Sequence, residues 1–164
     1  MEVYLFRHGI AAERGSYADD ELRPLTGKGH ARTTEVAQRL WATGLRFDLI
    51  LSSPLIRALQ TAQILQQTGL SQNIVTFAPL KPDGAIAKWL EWSQQYQQKH
   101  PDAKLALVGH QPDLGNWTEM LLWGSIEDRI VVKKAGIIGL KLPPMGTAIA
   151  RSTLFLHTAP KWLL

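Results

Sequence analysis

Short, wholly apolar runs alternate with amphipathic helical stretches along most of this chain, and that alternation leaves few folds open. Residues 3–6 (VYLF), 49–51 (LIL) and 105–108 (LALV) are apolar at successive positions, and 73–77 (NIVTF) is a weaker fourth run. Strands apolar on both faces belong in a parallel sheet that is covered on both sides. Between them, Thr26 is placed to cap a helix in which Val36, Ala37, Leu40 and Trp41 mark one face, before Gly44 ends it. Pro54 suits the first turn of a second helix, with Leu55, Ala58, Leu59, Ala62 and Leu65 at helical spacing and Gly69 beyond the end. A third helix is predicted from about residue 85 to 98 and a fourth from near 113 to 123. The tail changes character. GIIGLKL and TAIARSTLFLH flank PPMG and predict an antiparallel hairpin with a Pro/Gly turn. The expected fold class is α/β: a three-layer α/β/α arrangement with a mainly parallel central sheet and a C-terminal antiparallel hairpin, in one domain over residues 1–164.

In such a sheet, ligands gather beyond the carboxyl ends of the strands. Three of the four expected parallel strands end in residues suited to an anion. The first ends in Arg7-His8-Gly9, the second in Ser52-Ser53-Pro54 with Arg57 one turn into the next helix, and the fourth in Gly109-His110. Guanidiniums match phosphate oxygens with planar sets of N–H donors and stay charged at any working pH. A neutral imidazole attacks phosphorus and forms a covalent intermediate that water resolves. Gly9 lets the backbone come close behind His8, where a carbonyl can hold the second ring nitrogen and fix the tautomer. Each piece alone is a common structural or surface feature. Their coincidence at three strand ends points to phosphoryl chemistry.

LFRHG resembles the signature of the histidine phosphatase superfamily, which includes cofactor-dependent phosphoglycerate mutases and acid phosphatases. SSPLIRALQTA resembles its second phosphate-binding motif, VGHQPDL its second-histidine motif, and LRPLTGKGHARTTEVA the segment that follows the first motif. The matches occur in order over roughly the first three quarters of the chain. The resemblance implies His8 as nucleophile, with Arg7, Arg57 and His110 gripping the phosphoryl oxygens. The short chain and LRPLTGKG look most like SixA-type phosphohistidine phosphatases, which implies Arg23 as a further phosphate ligand. No cofactor or metal is implied, since the arginines already supply the charge a metal would neutralise.

One departure bears on substrate. Mutase-like relatives carry a glutamate between the second and third motifs that protonates an alcohol leaving group. This chain has APLKPDGAIAKWLEW there, with Asp83 as the nearest carboxylate and a possible acid, although Asp before Gly is a common turn pair. Alkoxide needs a proton in the transition state. Phosphohistidine instead leaves as a neutral imidazole, whose conjugate acid has a pKa of roughly 6.5. The expected substrate is therefore phosphohistidine on a protein, such as a phosphotransfer domain in a signalling relay. The alternatives are a phosphatase of small phosphate esters and a phosphate-binding module without turnover.

Composition narrows the rest. The chain has no cysteine, which excludes disulfides, thiolate metal sites and a cysteine nucleophile. Its net charge of +4 comes from Lys and Arg scattered among acids, with no basic run, so nucleic acid is not an expected partner. The apolar start is broken at Arg7, too short for a signal-peptide core, and no apolar run reaches membrane-spanning length, so a cytoplasmic protein is expected. Gly27-Lys28 is similar to a P-loop fragment but lacks its upstream glycine and following hydroxyl. His30, His100 and His157 show no metal-ligand spacing, and Trp89, Trp92 and Trp117 fall on helical faces expected in the core.

Overall fold

A computed structural model describes residues 1–164. The strands are β1 (Glu2–Arg7), β2 (Leu49–Ser52), β3 (Ile74–Thr76), β4 (Lys104–Gly109), β5 (Ile137–Lys141) and β6 (Thr153–Thr158). The helices are α1 (Gly27–Ala42), α2 (Ile56–Gln67), α3 (Ile86–Lys99) and α4 (Asp113–Trp123). All six strands form one sheet in the order β3-β2-β4-β1-β5-β6. The first four of that order are parallel, β5 runs against β1, and β6 runs against β5.

Strand alternation divides the core into two layers. Tyr4 and Phe6 of β1 join Ile50, Ala106, Val108 and Ile137 under Val36 and Leu40 of α1 and Ala58 and Leu65 of α2. Val3 and Leu5 point the other way, with Leu51, Leu105, Leu107 and Ile138, onto Trp89 of α3 and Leu114, Trp117 and Leu121 of α4. Both faces are thus covered, which is why β1 and β4 are apolar at every interior position. No helix is long and apolar enough to cross a membrane.

The elements start and stop for local reasons. Thr26 caps α1, its hydroxyl oxygen accepting the Gly29 N–H at 2.9 Å, and α4 ends on Gly124 at φ 84°. Two expectations need correction. Pro54 lies in the turn ahead of α2, because Leu55 stays extended (φ −65°, ψ 137°) as its N-cap. The C-terminal strands do pair, but residues 142–152 connect them instead of a tight Pro/Gly turn. The Ala150 and Ser152 N–H groups donate to the Met120 and Leu121 carbonyls at 3.0 Å each. The end of the TAIA stretch and Ser152 therefore join the last turn of α4, where Ser152 satisfies the Leu121 carbonyl, and TAIA does not extend β6.

The sheet order decides where chemistry collects. β4 lies between β1 and β2, with Arg7 beside Gly109 and Ser52 beside Val108 in register. The three strand ends singled out from the sequence therefore finish side by side.

Candidate active site

His8 follows β1 directly, its N–H donating to the Gly109 carbonyl at 3.1 Å. Its Nδ1 lies 2.7 Å from the Gly9 carbonyl oxygen. A carbonyl only accepts, so Nδ1 carries the proton and Nε2 keeps the lone pair. Gly9 is required for this turn, since a Cβ there would overlap the Thr33 hydroxyl. The Gly9 N–H donates to Thr61 Oγ1 at 3.1 Å, and the Thr61 hydroxyl donates to the Arg57 carbonyl at 2.8 Å, tying the first strand end to α2.

His8 is 6% exposed, and its ring lies 5.1 Å from that of His110. Burial first, then His110, pushes the His8 pKa well below the ordinary histidine value. Burial, then Arg57 and Arg7, pushes His110 down to about 3. Both rings are neutral near neutral pH. His110 Nε2 lies 2.8 Å from Ser53 Oγ, so when the Ser53 hydroxyl donates there, Nδ1 carries the ring's proton.

The guanidiniums are each held along one edge. Arg7 Nη1 donates to the Val132 carbonyl at 2.8 Å. Arg57 reaches Asp20 twice, through Nη1 to its carbonyl at 2.7 Å and Nη2 to Oδ2 at 3.0 Å. Arg23 binds Asp20 Oδ1 through Nε at 2.9 Å and the Ala12 carbonyl through Nη1 at 2.8 Å. Arg7 Nε, Arg57 Nε and His110 Nδ1 are buried without a protein partner. A buried donor left unpaired costs roughly 1–3 kcal/mol, so three on neighbouring side chains mark a place built for an acceptor.

Arg7, His8, Arg23, Arg57, His110 and Asp83 all line one cavity of about 820 Å³. Asp83 stands at an exposed turn with φ 62°, the left-handed geometry expected of a turn residue. Its N–H donates to Asp113 Oδ1 at 3.2 Å. Asp113, at the start of α4, also lines the cavity, and burial raises its pKa against backbone N–H donors, that of Asp83 among them, that lower it. Sequence reasoning missed Asp113, Asp20, Thr61 and Gln111. Two had a signal: Asp20 stands one turn before Arg23, and Gln111 directly follows His110.

Residues 3–81 match the profile of the histidine phosphatase superfamily (branch 1). An uncharacterized protein of Picosynechococcus sp. is 51% identical over 165 residues, covering 100% of this chain and 99% of that one. The phosphohistidine phosphatase SixA of Escherichia coli is 29% identical over 122 residues, 70% of each chain. A solved structure of the protein histidine phosphatase SixA complexed with tungstate superposes with a TM-score of 0.86 at 24% identity, covering 100% of both chains. The motifs stand in order along the sequence, residues 3–81 carry the profile of the histidine phosphatase superfamily, and the fold is shared from end to end with a SixA structure.

Proposed function

We propose that the chain hydrolyses phosphohistidine on a protein, passing the phosphoryl group through His8. The observation that carries this reading is a buried, neutral imidazole with its Nδ1–H tied to Gly9, set among guanidiniums that keep unpaired donors. His8 Nε2 attacks phosphorus, and the P–N bond to the substrate breaks as the bond to His8 forms. The substrate imidazole leaves neutral when its other nitrogen already holds a proton. Water then attacks phosphorus and releases inorganic phosphate and free His8. Arg7, Arg57 and Arg23 balance the charge on the phosphoryl oxygens in both steps, and the neutral His110 adds an N–H donor. A protein substrate, such as a phosphotransfer domain, suits a broad mouth lined mostly by polar and charged side chains, and the similarity to SixA supports the same class.

A second reading, a phosphatase of small phosphate esters, draws on Asp113. A carboxyl with a raised pKa at the cavity wall is a proton source for an alcohol leaving group. Steady-state kinetics on one phosphohistidine protein and one alkyl phosphate separate the two. The wild type is expected to turn over phosphohistidine by far the faster. His8→Ala is expected to lose both activities while still binding vanadate. Asp83→Asn and Asp113→Asn are each expected to change phosphohistidine turnover by less than about tenfold, against the ~10²–10⁴ of a true general acid. Faster alkyl-ester turnover that collapses in either Asp variant would establish the second reading instead.

A further inference from the structure

We infer that Glu119 and Gln111 are positioning residues for Arg7, acting through residues 127–132; this rests on Arg7 binding the phosphoryl group. Glu119 sits on α4 at 0% exposure, with no cation beside it. A buried carboxylate is costly unless its oxygens are fully hydrogen-bonded. Here Oε2 accepts the Glu127 and Asp128 N–H groups, and Oε1 accepts those of Arg129 and Ile130, all within 3.0 Å. Burial pulls the carboxyl upward, but these four donors together hold it below the usual range. Residues 127–132 belong to no helix or strand. Glu119 supplies the partners that regular structure gives elsewhere.

Two further contacts carry the segment to the cavity. Gln111, one residue past His110, accepts the Val132 N–H through Oε1 and donates through Nε2 to the Ile130 carbonyl, both at 3.1 Å. Val132 is fully buried, and its carbonyl takes Arg7 Nη1 at 2.8 Å. Gly115 permits the fit, since a Cβ there would overlap the Ile130 carbonyl and stand 2.7 Å from Gln111 Nε2. The direction of one carbonyl thus decides which edge of Arg7 stays unpaired. Misplacing a catalytic group by about 1 Å costs on the order of a hundredfold in rate.

A double-mutant cycle tests this, with 4-nitrophenyl phosphate as substrate and temperatures well below each variant's unfolding. Glu119→Gln replaces two acceptor sites with donors, and Gly115→Ala pushes the segment off α4 with Glu119 intact. Each is expected to lower kcat about ten- to a hundredfold in the wild type. In an Arg7→Ala background, each is expected to cost less than about twofold more, because the residue they position is gone. If Glu119→Gln does not fold, Gly115→Ala carries the same comparison. Equal losses in both backgrounds, or no loss in the wild type, would overturn the inference. A large Arg7→Ala loss with additive partners overturns only the positioning role, whereas an Arg7→Ala variant of normal activity overturns the phosphoryl-binding role of Arg7 as well.

Discussion

Arg7 and Arg57 line the same cavity with the same chemical group, and each gives one nitrogen to a backbone carbonyl, yet only Arg57 also binds a carboxylate. Arg57 is fixed by Asp20, whose backbone carbonyl takes Nη1 and whose carboxylate takes Nη2 and also binds Arg23. Arg7 is fixed by a neutral carbonyl on a segment that is itself fastened to α4. Asp20 is only half buried, so its ion pairs are softened by water and weakened by salt. A carbonyl does not titrate and brings no net charge to compete with an anionic ligand. One side of the cavity is therefore set partly by charge and the other without it.

The largest test asks whether both arginines act as planar donor sets despite this difference. Arg7→Lys and Arg57→Lys are each expected to cost about 2.7–4 kcal/mol in the transition state, or roughly 10²–10³ in kcat. A lysine offers a point charge without the paired geometry. Near-normal kcat for Arg57→Lys alone would mean that charge suffices on the Asp20 side and geometry matters only on the Arg7 side.

A middle-sized effect separates the anchors from the histidines. His8 and His110 are held neutral in the fold, with pKa values depressed below the ordinary histidine value of 6.5. The unfolded chain takes up their protons first, so stability is full above pH 6.5 and falls as pH drops toward the folded values, about 3 for His110. One unit below 6.5, the loss is up to about 1.4 kcal/mol for each ring. Asp20 is held below its ordinary value by hydrogen bonding to Arg23 first, and Glu119 by its four backbone donors against burial, so both stay ionised through that window. Denaturant unfolding at pH 7.5 and 5.5 is expected to show the same loss in wild type and Asp20→Asn. A loss absent from the variant would move the titration to the anchor.

The smallest effect concerns Asp20 itself. Removing a half-exposed anion near the proposed phosphate site is expected to tighten inorganic phosphate binding about two- to fivefold at low salt, in keeping with ~0.4–1 kcal/mol for such pairs. Calorimetric titration of Asp20→Asn at two ionic strengths checks this, with the gain shrinking as salt rises. Weaker binding would show that ordering Arg23 and Arg57 outweighs the repulsion.

The parts of this molecule that could be read from residues are those governed by near neighbours. β1 and β4 stand out because both faces are buried, and α4 runs over 113–123 as its spacing predicts. Thr26 caps α1 as its hydroxyl predicts. Residues 147–150 carried strand-like chemistry, but the Ala150 and Ser152 N–H groups bond carbonyls of the last turn of α4, and no local pattern records that contact. Glu119, in WTEMLLW, reads as a solvated acid on an apolar helix until the four N–H groups around it are seen.

The sequence by itself determined the β-then-α order, and with it the placing of Arg7-His8, Ser53 with Arg57, and His110 at the carboxyl ends of strands. Side-chain type and period carry that information because a strand or helix depends mainly on residues within a few positions. The strand order that sets those ends side by side is tertiary. Only the tertiary structure decided which edge of each guanidinium is held and which stays unpaired. Those directions are set by backbone carbonyls such as that of Val132, 125 residues from Arg7, and by an Asp20 carboxylate 37 residues from Arg57. A carbonyl looks the same in every residue, so its aim exists only once the chain has folded.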